Sequence, residues 1–326
     1  MSTADSDATS PAAVAADRPD AVPLVVILGA TAAGKTALAV ALAQAFQGEI
    51  VSADAFAIYR GMDIGTAKPG PAEQALVVHH GVSDIEVTDR CDVQRWLTLA
   101  EGAISDIHAR GRLAIVAGGT PLYVKALLEG LSAGAPRDTA VRDRLTARYR
   151  SEGGEALLAE LARVDPQYAQ DRHANDQRRV VRALEVWQLT GKPYSSFHTT
   201  DGIRRDTYRT LLIGLAWERE ELHRRINRRI KLMFEAGLID EVAGLKDRAS
   251  PEALQAVGYK EVIGFLEGEY DRERAIELVK RNSRMLAKHQ GTWYRRWRDI
   301  RWLPGQEPRL VAQATALVAA FLAEQI

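Results

Sequence analysis

Residues 22–36 read VPLVVILGATAAGKT. The aliphatic and β-branched run at 22–28, closed by a glycine, has the pattern of a short strand buried on both faces. Gly29-Ala30-Thr31-Ala32-Ala33-Gly34-Lys35-Thr36 then matches G-x-x-x-x-G-K-[ST] in full, and an Ala- and Leu-rich stretch at 35–46 reads as a helix. Between a strand and a helix this pattern predicts a phosphate site. Successive backbone N–H groups and the helix N-terminus form a concavity for an anion, and Lys35 adds a point charge. The Thr36 hydroxyl stands where it can ligate Mg²⁺.

Outward from that loop the strand signals continue. Residues 49–53 read as a second strand ending at Asp54, and 112–117 as a third, which ends in Gly118-Gly119-Thr120 before a helix at 122–128. Residues 210–216 read as a fourth. Strands alternating with helices predict an α/β fold: a P-loop-containing parallel sheet flanked by helices, with ligands gathered at the C-terminal strand ends. Between 132 and 205 only helical patterns occur, at 139–151, 155–163 and 176–189, which predicts a helical insertion domain. The P-loop α/β body is then 22–131 with 206–326, and further helices are expected at 218–236, 238–247, 272–298 and 308–325. A short helix follows the turn at Gly258-Tyr259-Lys260. Residues 1–21, drawn mainly from Ala, Ser, Thr, Asp and Pro, read as a disordered lead-in.

Composition narrows the function classes. An apolar fraction of 46% and a charged fraction of 26% are ordinary for a soluble protein. No run approaches the length of a membrane span, and Asp5, Asp7 and Asp17 interrupt any secretory or transit signal. One cysteine, Cys91, excludes an internal disulfide and a multi-cysteine zinc site. A cytoplasmic protein with no membrane partner is expected. The net charge of zero hides an asymmetry: residues 1–171 carry 15 Lys+Arg against 22 Asp+Glu, whereas 172–301 carry 27 against 19. A basic second half suits a polyanion, although solvated helix faces account for the same composition.

In phosphoryl transfer such a loop is usually joined by an acid at the end of another strand, which orients the metal. Here the third strand ends in Gly-Gly-Thr, so a phosphate site is implied and a triphosphate-splitting one is not. Asp54 has the position of a general base near a bound acceptor, or of a cap on the next turn. These features alone fit a P-loop small-molecule kinase equally well.

The segments "SADAFAIYRGMDIGTAKP" (52–69), "VAGGTPLYVKALLEGL" (116–131), "NDQRRVVRALEV" (175–186), "TGKP" (190–193), "GYKE" (258–261) and "AKHQGTWYR" (287–295) follow the loop in order. Together they resemble the bacterial tRNA dimethylallyltransferase (tRNA isopentenyltransferase) family. That resemblance implies transfer of a dimethylallyl group from dimethylallyl diphosphate to the exocyclic amine of the adenosine 3′-adjacent to the anticodon. The tRNAs concerned read codons beginning with U, and diphosphate is released. The P-loop then grips a leaving group and need split no ATP. Gly29, Ala30, Thr31, Ala32, Ala33, Gly34, Lys35 and Thr36 become the diphosphate site, Thr36 a Mg²⁺ ligand, and Lys35, Asp54 and Thr120 catalytic.

The resemblance also implies contacts to the tRNA anticodon stem-loop. These fall on Asp54, Ala55, Phe56, Ala57, Thr120 and Arg142, on Arg178, Arg179, Val180, Val181 and Arg182, and on Gln255, Gly258, Tyr259 and Lys260. They end with Lys288, His289, Gln290, Thr292, Trp293 and Arg295. Around that last segment basic and aromatic residues interleave, a mixture suited to loop bases on a phosphate backbone. A monomer is implied. The chain departs from the family pattern at Ala30 (Pro), Ala55 (Ser), Ala57 (Gln), Pro121 (Gly) and His289 (Arg). Prenyl transfer to a free adenine nucleotide, of the cytokinin type, is the nearest alternative activity. His79 and His80 resemble a metal pair, but adjacent side chains diverge on most backbones, which favours structural roles.

Overall fold

The structure, a computed structural model, describes residues 21–131, 135–197 and 204–324. Apart from Ala21, the expected disordered lead-in lies outside these residues, as do positions 132–134 at the opening of the expected insertion. Six strands form one sheet: β1 (Val22–Gly29), β2 (Glu49–Ser52), β3 (His79–His80), β4 (Ala114–Ala117), β5 (Tyr208–Ala216) and β6 (Arg301–Pro304). Their order is β3-β2-β4-β1-β5-β6 and every pairing is parallel. The α/β expectation holds, with two more strands than the sequence patterns predict. β3 spans two polar residues and β6 leaves Arg301, Trp302 and Pro304 exposed, so neither carries a strand-like alternation.

β1 is central because it is the most continuously apolar segment. Leu24 to Leu28 are fully buried, as a strand covered on both faces requires. It pairs with β4 through Leu24↔Ala114 to Ile27↔Ala117, and with β5 through Val22↔Tyr208 to Gly29↔Leu215. Parallel pairing brings the C-terminal ends of β1, β2 and β4 to one edge, where Gly29, Ser52 and Ala117 open into loops. Helices α1 (Lys35–Ala45), α2 (Pro71–Leu76), α3 (Val93–Ala109) and α4 (Pro121–Glu129) connect these strands. On one face Leu38 and Leu42 of α1 share a core with Ile115, Ile213, Val318 and Phe321.

The chain divides into two compact units, Met1–Val124 with Asp206–Ile326, and Lys125–Arg205. The second contains α5 (Thr139–Glu152), α6 (Gly154–Val164), α7 (Pro166–Ala169) and α8 (Gln177–Thr190), packed around Leu145, Leu157, Leu161, Val180 and Leu184. Asp138, Asp165 and Asp176 accept backbone N–H groups at the starts of α5, α7 and α8. The first unit continues with α9 (Arg219–Glu235), α10 (Leu238–Leu245), α11 (Tyr259–Leu266), α12 (Arg272–Tyr294) and α13 (Leu310–Ala323). α12 stops at Tyr294, four residues short of the expected end, where Arg295 N–H closes on Gly291 O.

Candidate active site

The phosphate loop curls because its backbone alternates in hand. Ala32 (φ 64°) and Gly34 (φ 96°) are left-handed on either side of Ala33, whose N–H donates to Ala30 O at 3.1 Å. α1 begins at Lys35, and its first-turn N–H groups have no intrahelical acceptor. Lys35 Nζ donates to Ala30 O at 2.9 Å and folds back over the loop. Burial lowers its pKa to about 8, with Asp54 drawing it up and Arg229 pressing it down.

A second layer braces this loop. Trp217 Nε1 donates to Ala33 O and Arg225 Nε to Ala32 O, both at 2.9 Å, with the Arg225 guanidinium 4.1 Å above the Trp217 ring. One turn along α9, Arg229 donates through Nη2 to Thr31 Oγ1. Its Nε is buried without a partner, and burial lowers its pKa against the pull of Asp54. Gln290 on α12 accepts the Thr31 N–H at 2.8 Å and donates to Gly119 O at 2.6 Å.

Asp54 follows β2. Its Oδ1 accepts the N–H groups of Phe56 at 2.9 Å and Ala57 at 3.1 Å, which leaves Oδ2 free of those bonds. Thr120, at the end of β4, accepts the Ala55 N–H on Oγ1 at 3.0 Å and donates its own N–H to Ala53 O at 3.0 Å. The two loops meet so closely that a Cβ on Gly118 would stand 2.1 Å from Ala53 O. Glycine is therefore required there. Phosphate loop, Asp54 and Thr120 thus converge at one strand edge, and Asp54 acts electrostatically on both Lys35 and Arg229. A carboxylate, two basic side chains and a set of open N–H groups are thus gathered at these strand ends. That arrangement can stabilise a departing phosphate group while a neighbouring carboxylate takes a proton.

The IPP transferase family model matches residues 57–297. The tRNA dimethylallyltransferase 2 of Geotalea uraniireducens is 43% identical over 290 residues, which cover 88% of this chain and 94% of that protein. The chain belongs to the tRNA dimethylallyltransferase family. The crystal structure of a full-length tRNA isopentenylpyrophosphate transferase from Bacillus halodurans superposes with a TM-score of 0.69 at 39% identity, covering 93% of this chain and 97% of that one. A eukaryotic dimethylallyltransferase acting on tRNA gives 0.79 at 28% identity, with 93% and 80% covered. Membership makes the phosphate loop part of a prenyltransferase.

In the unit Lys125–Arg205 the family segment around α8 is organised by a buried carboxylate. Glu185 accepts from Arg142 Nη2 at 2.9 Å, from Arg182 Nη1 at 2.9 Å and from Asp138 N–H at 2.9 Å. Arg182 also donates to Pro136 O and Ala135 O. Arg178 and Arg179 are exposed, the latter paired with Asp176 at 2.7 Å. In the other unit Gln255, Lys260, Lys288, His289, Thr292 and Arg295 are exposed, and Trp293 is half-buried with Arg296 5.6 Å from its ring.

Several residues of the expected tRNA-contact segments are buried or bonded within the protein. Val180 and Val181 face the helical core, and the Ala57 methyl is buried behind the Asp54 turn. Gly258 is buried, and Tyr259 is fully so, donating to Glu241, whose carboxylate also caps the N–H groups of Asp63, Ile64 and Gly65. Gln290 is spent on Thr31 and Gly119. His79 Nδ1 pairs with Val77 O and His80 Nε2 with Glu49 at 2.8 Å, in keeping with structural roles. Among the described residues no group of three or more His, Cys, Asp or Glu side chains could hold a metal ion. Sequence reasoning missed Trp217, Arg225 and Arg229. The one available signal was the pair of arginines at i and i+4 on the helix after a strand.

Proposed function

We propose that this chain binds dimethylallyl diphosphate at residues 29–36 and transfers the dimethylallyl group to the exocyclic amine of the adenosine 3′-adjacent to the anticodon. The observation that carries the reading is the joining of the Asp54 and Thr120 loops by the Ala55 N–H to Thr120 bond, with Gln290 tying Gly119 beside them to Thr31 of the phosphate loop. The allylic C1–O bond breaks as negative charge builds on the departing diphosphate. Lys35, Arg229 and the first-turn N–H groups of α1 oppose that charge where it develops. The amine nitrogen bonds to C1 and its proton passes to Asp54, whose Oδ2 is available to accept it. Thr120 sets the Asp54 loop by holding the Ala55 N–H.

The Thr36 hydroxyl, in the first turn of α1, would supply one oxygen to Mg²⁺, which keeps several waters and takes few protein oxygens when phosphates supply the rest. When bound, Mg²⁺ neutralises charge on the diphosphate. Arg142, Arg178, Arg179, Arg182, Lys288 and Arg295 are the proposed phosphate-backbone contacts of the stem-loop. The chain is proposed to work as a monomer in the cytoplasm. The test is mass spectrometry of nucleosides from tRNA incubated with the pure protein and dimethylallyl diphosphate. Prenylated adenosine is expected, falling by roughly 10²–10⁴ in rate with Asp54→Asn. ATP hydrolysis stimulated by a small phosphoryl acceptor, without tRNA prenylation, would instead identify a kinase.

A further inference from the structure

Trp217 directly follows β5, and its indole N–H donates to Ala33 O at 2.9 Å. Three parts of the fold hold that ring in place. The Arg225 guanidinium of α9 lies 4.1 Å from its centroid, and the ring packs against the core that contains Leu215. The turn after β6 presses on its pyrrole side, where a Cβ on Gly305 would stand 1.9 Å from Nε1 and 2.2 Å from Cε2. Only glycine leaves room for the indole there, and the Gly305 N–H is itself fixed to Ala216 O at 2.7 Å. A ring confined in this way aims one N–H at one carbonyl of the phosphate loop.

Ala33 O and the Gly34 N–H belong to one trans peptide and point in opposite directions. Holding the carbonyl at Trp217 therefore turns the Gly34 N–H away from the indole. The preceding peptide shows what lies on that side. Arg225 holds Ala32 O at 2.9 Å, and the Ala33 N–H points inward across the loop, to Ala30 O at 3.1 Å. The alternation of hand makes successive N–H groups converge, so the Gly34 N–H follows on the inner side. It has no acceptor among the described residues. Ala32 is left-handed without being glycine (φ 64°), a conformation that needs outside support, and the two held carbonyls supply it. We infer that Trp217 is a positioning residue for the diphosphate, presetting the Ala33–Gly34 peptide so that the Gly34 N–H donates to a phosphate oxygen. The inference rests on the reading of residues 29–36 as the diphosphate site. It adds to that site a side chain from outside the loop, seated by the turn after β6.

Trp217→Phe keeps an aromatic ring beside Arg225 and Gly305 and removes the N–H. The probe is inorganic diphosphate with Mg²⁺, titrated into the full chain by calorimetry. Trp217→Phe is expected to raise its Kd roughly 10- to 100-fold, with affinity for the stem-loop unchanged. Gly305→Ala displaces the indole and leaves its chemistry intact, and should produce the same loss. Replacing the Gly34 amide by an ester removes the N–H through which Trp217 acts. That chain should bind diphosphate as weakly, and Trp217→Phe should then add little further loss. Losses from the ester and from Trp217→Phe that multiply in full would overturn the inference, because the indole would then act by another route. Unchanged diphosphate affinity in Trp217→Phe, whatever its Tm, would do the same. If the unaltered protein binds no diphosphate, the reading of residues 29–36 falls and this inference with it.

Discussion

The side-chain oxygen of Gln290 accepts the backbone N–H of Thr31 at 2.8 Å, across 259 positions of sequence. Its amide nitrogen donates to Gly119 O at 2.6 Å, so one side chain ties the phosphate loop to the end of β4. Gln290→Leu strands the buried Gly119 O, a loss of about 1–3 kcal/mol, and frees the half-buried Thr31 N–H at a smaller cost. The expected outcome is a lower Tm and a KM for dimethylallyl diphosphate raised roughly tenfold, read by thermal melting and steady-state kinetics.

Lys35 has a pKa of about 8 in the free protein, down from 10.5, with burial the main cause. Below pH 8 the ammonium is charged in folded and unfolded chains alike, and its burial cost is fully present. As pH rises from 8 toward 10.5 the unfolded chain binds more protons than the folded one, so this group's contribution to stability improves. Donor binding has the opposite trend, because the diphosphate requires the charged form. Affinity for dimethylallyl diphosphate should weaken above pH 8 by up to about tenfold per pH unit. Calorimetry at pH 8.5 in buffers of different ionisation enthalpy should show net proton uptake, which Lys35→Met abolishes.

Glu185 holds Arg142 and Arg182 from below. Burial tends to raise its pKa, but the bonds from Arg182, Asp138 N–H and Arg142 outweigh it and leave the pKa lowered. Glu185→Gln keeps the size and removes the charge that orients both guanidinium groups. Stem-loop affinity is expected to fall about tenfold, with donor KM unchanged, in fluorescence titrations at fixed salt. A loss of donor binding would contradict the assignment of these arginines to RNA.

Glu49 is buried at the base of β2 with Arg110, Arg112 and His80 on its carboxylate. Its pKa falls to about 2, chiefly through the Arg110 hydrogen bonds. The stability it contributes is present above pH 4.5 and is lost as pH falls through 2. Arg110 and Arg112 are 40% and 49% exposed, so Glu49→Gln should cost about 2 kcal/mol at pH 7, below the value for a fully buried pair. The variant should also show a shallower acid limb in a melting series.

Features set by neighbouring residues were legible in the sequence. The loop at 29–36, the strand before it, Asp54 and the Gly-Gly-Thr turn all follow from local pattern. α3 was legible too: Trp96, Leu97, Ala100, Ile104 and Ile107 are buried at helical spacing, a signal that a motif-led reading passes over. Gln290, Arg225 and Arg229 were not legible as parts of the phosphate site, because the i, i+4 spacing of the two arginines puts them on one helix face without marking the loop they reach. The burial of some residues in the expected contact segments has the same origin. A segment resemblance such as the one at 178–182 assigns five consecutive residues one role, whereas a helix turns Val180 and Val181 inward and Arg178 and Arg179 outward.

The central place of β1 in the sheet sets a timetable for synthesis. Its apolar run leaves the ribosome first, yet its hydrogen-bonding partner on one side, β5, ends only at Ala216, and all of Lys125–Arg205 is made in between. At about 5–20 residues per second, the nascent strand waits roughly 10–40 s for that edge to be covered. A chain stalled or cleaved before residue 208 displays a five-residue aliphatic strip, Leu24 to Leu28, with one row of peptide groups unpaired. Such a fragment also holds the phosphate-loop sequence without Arg229 and Gln290, which contact Thr31 in the folded chain.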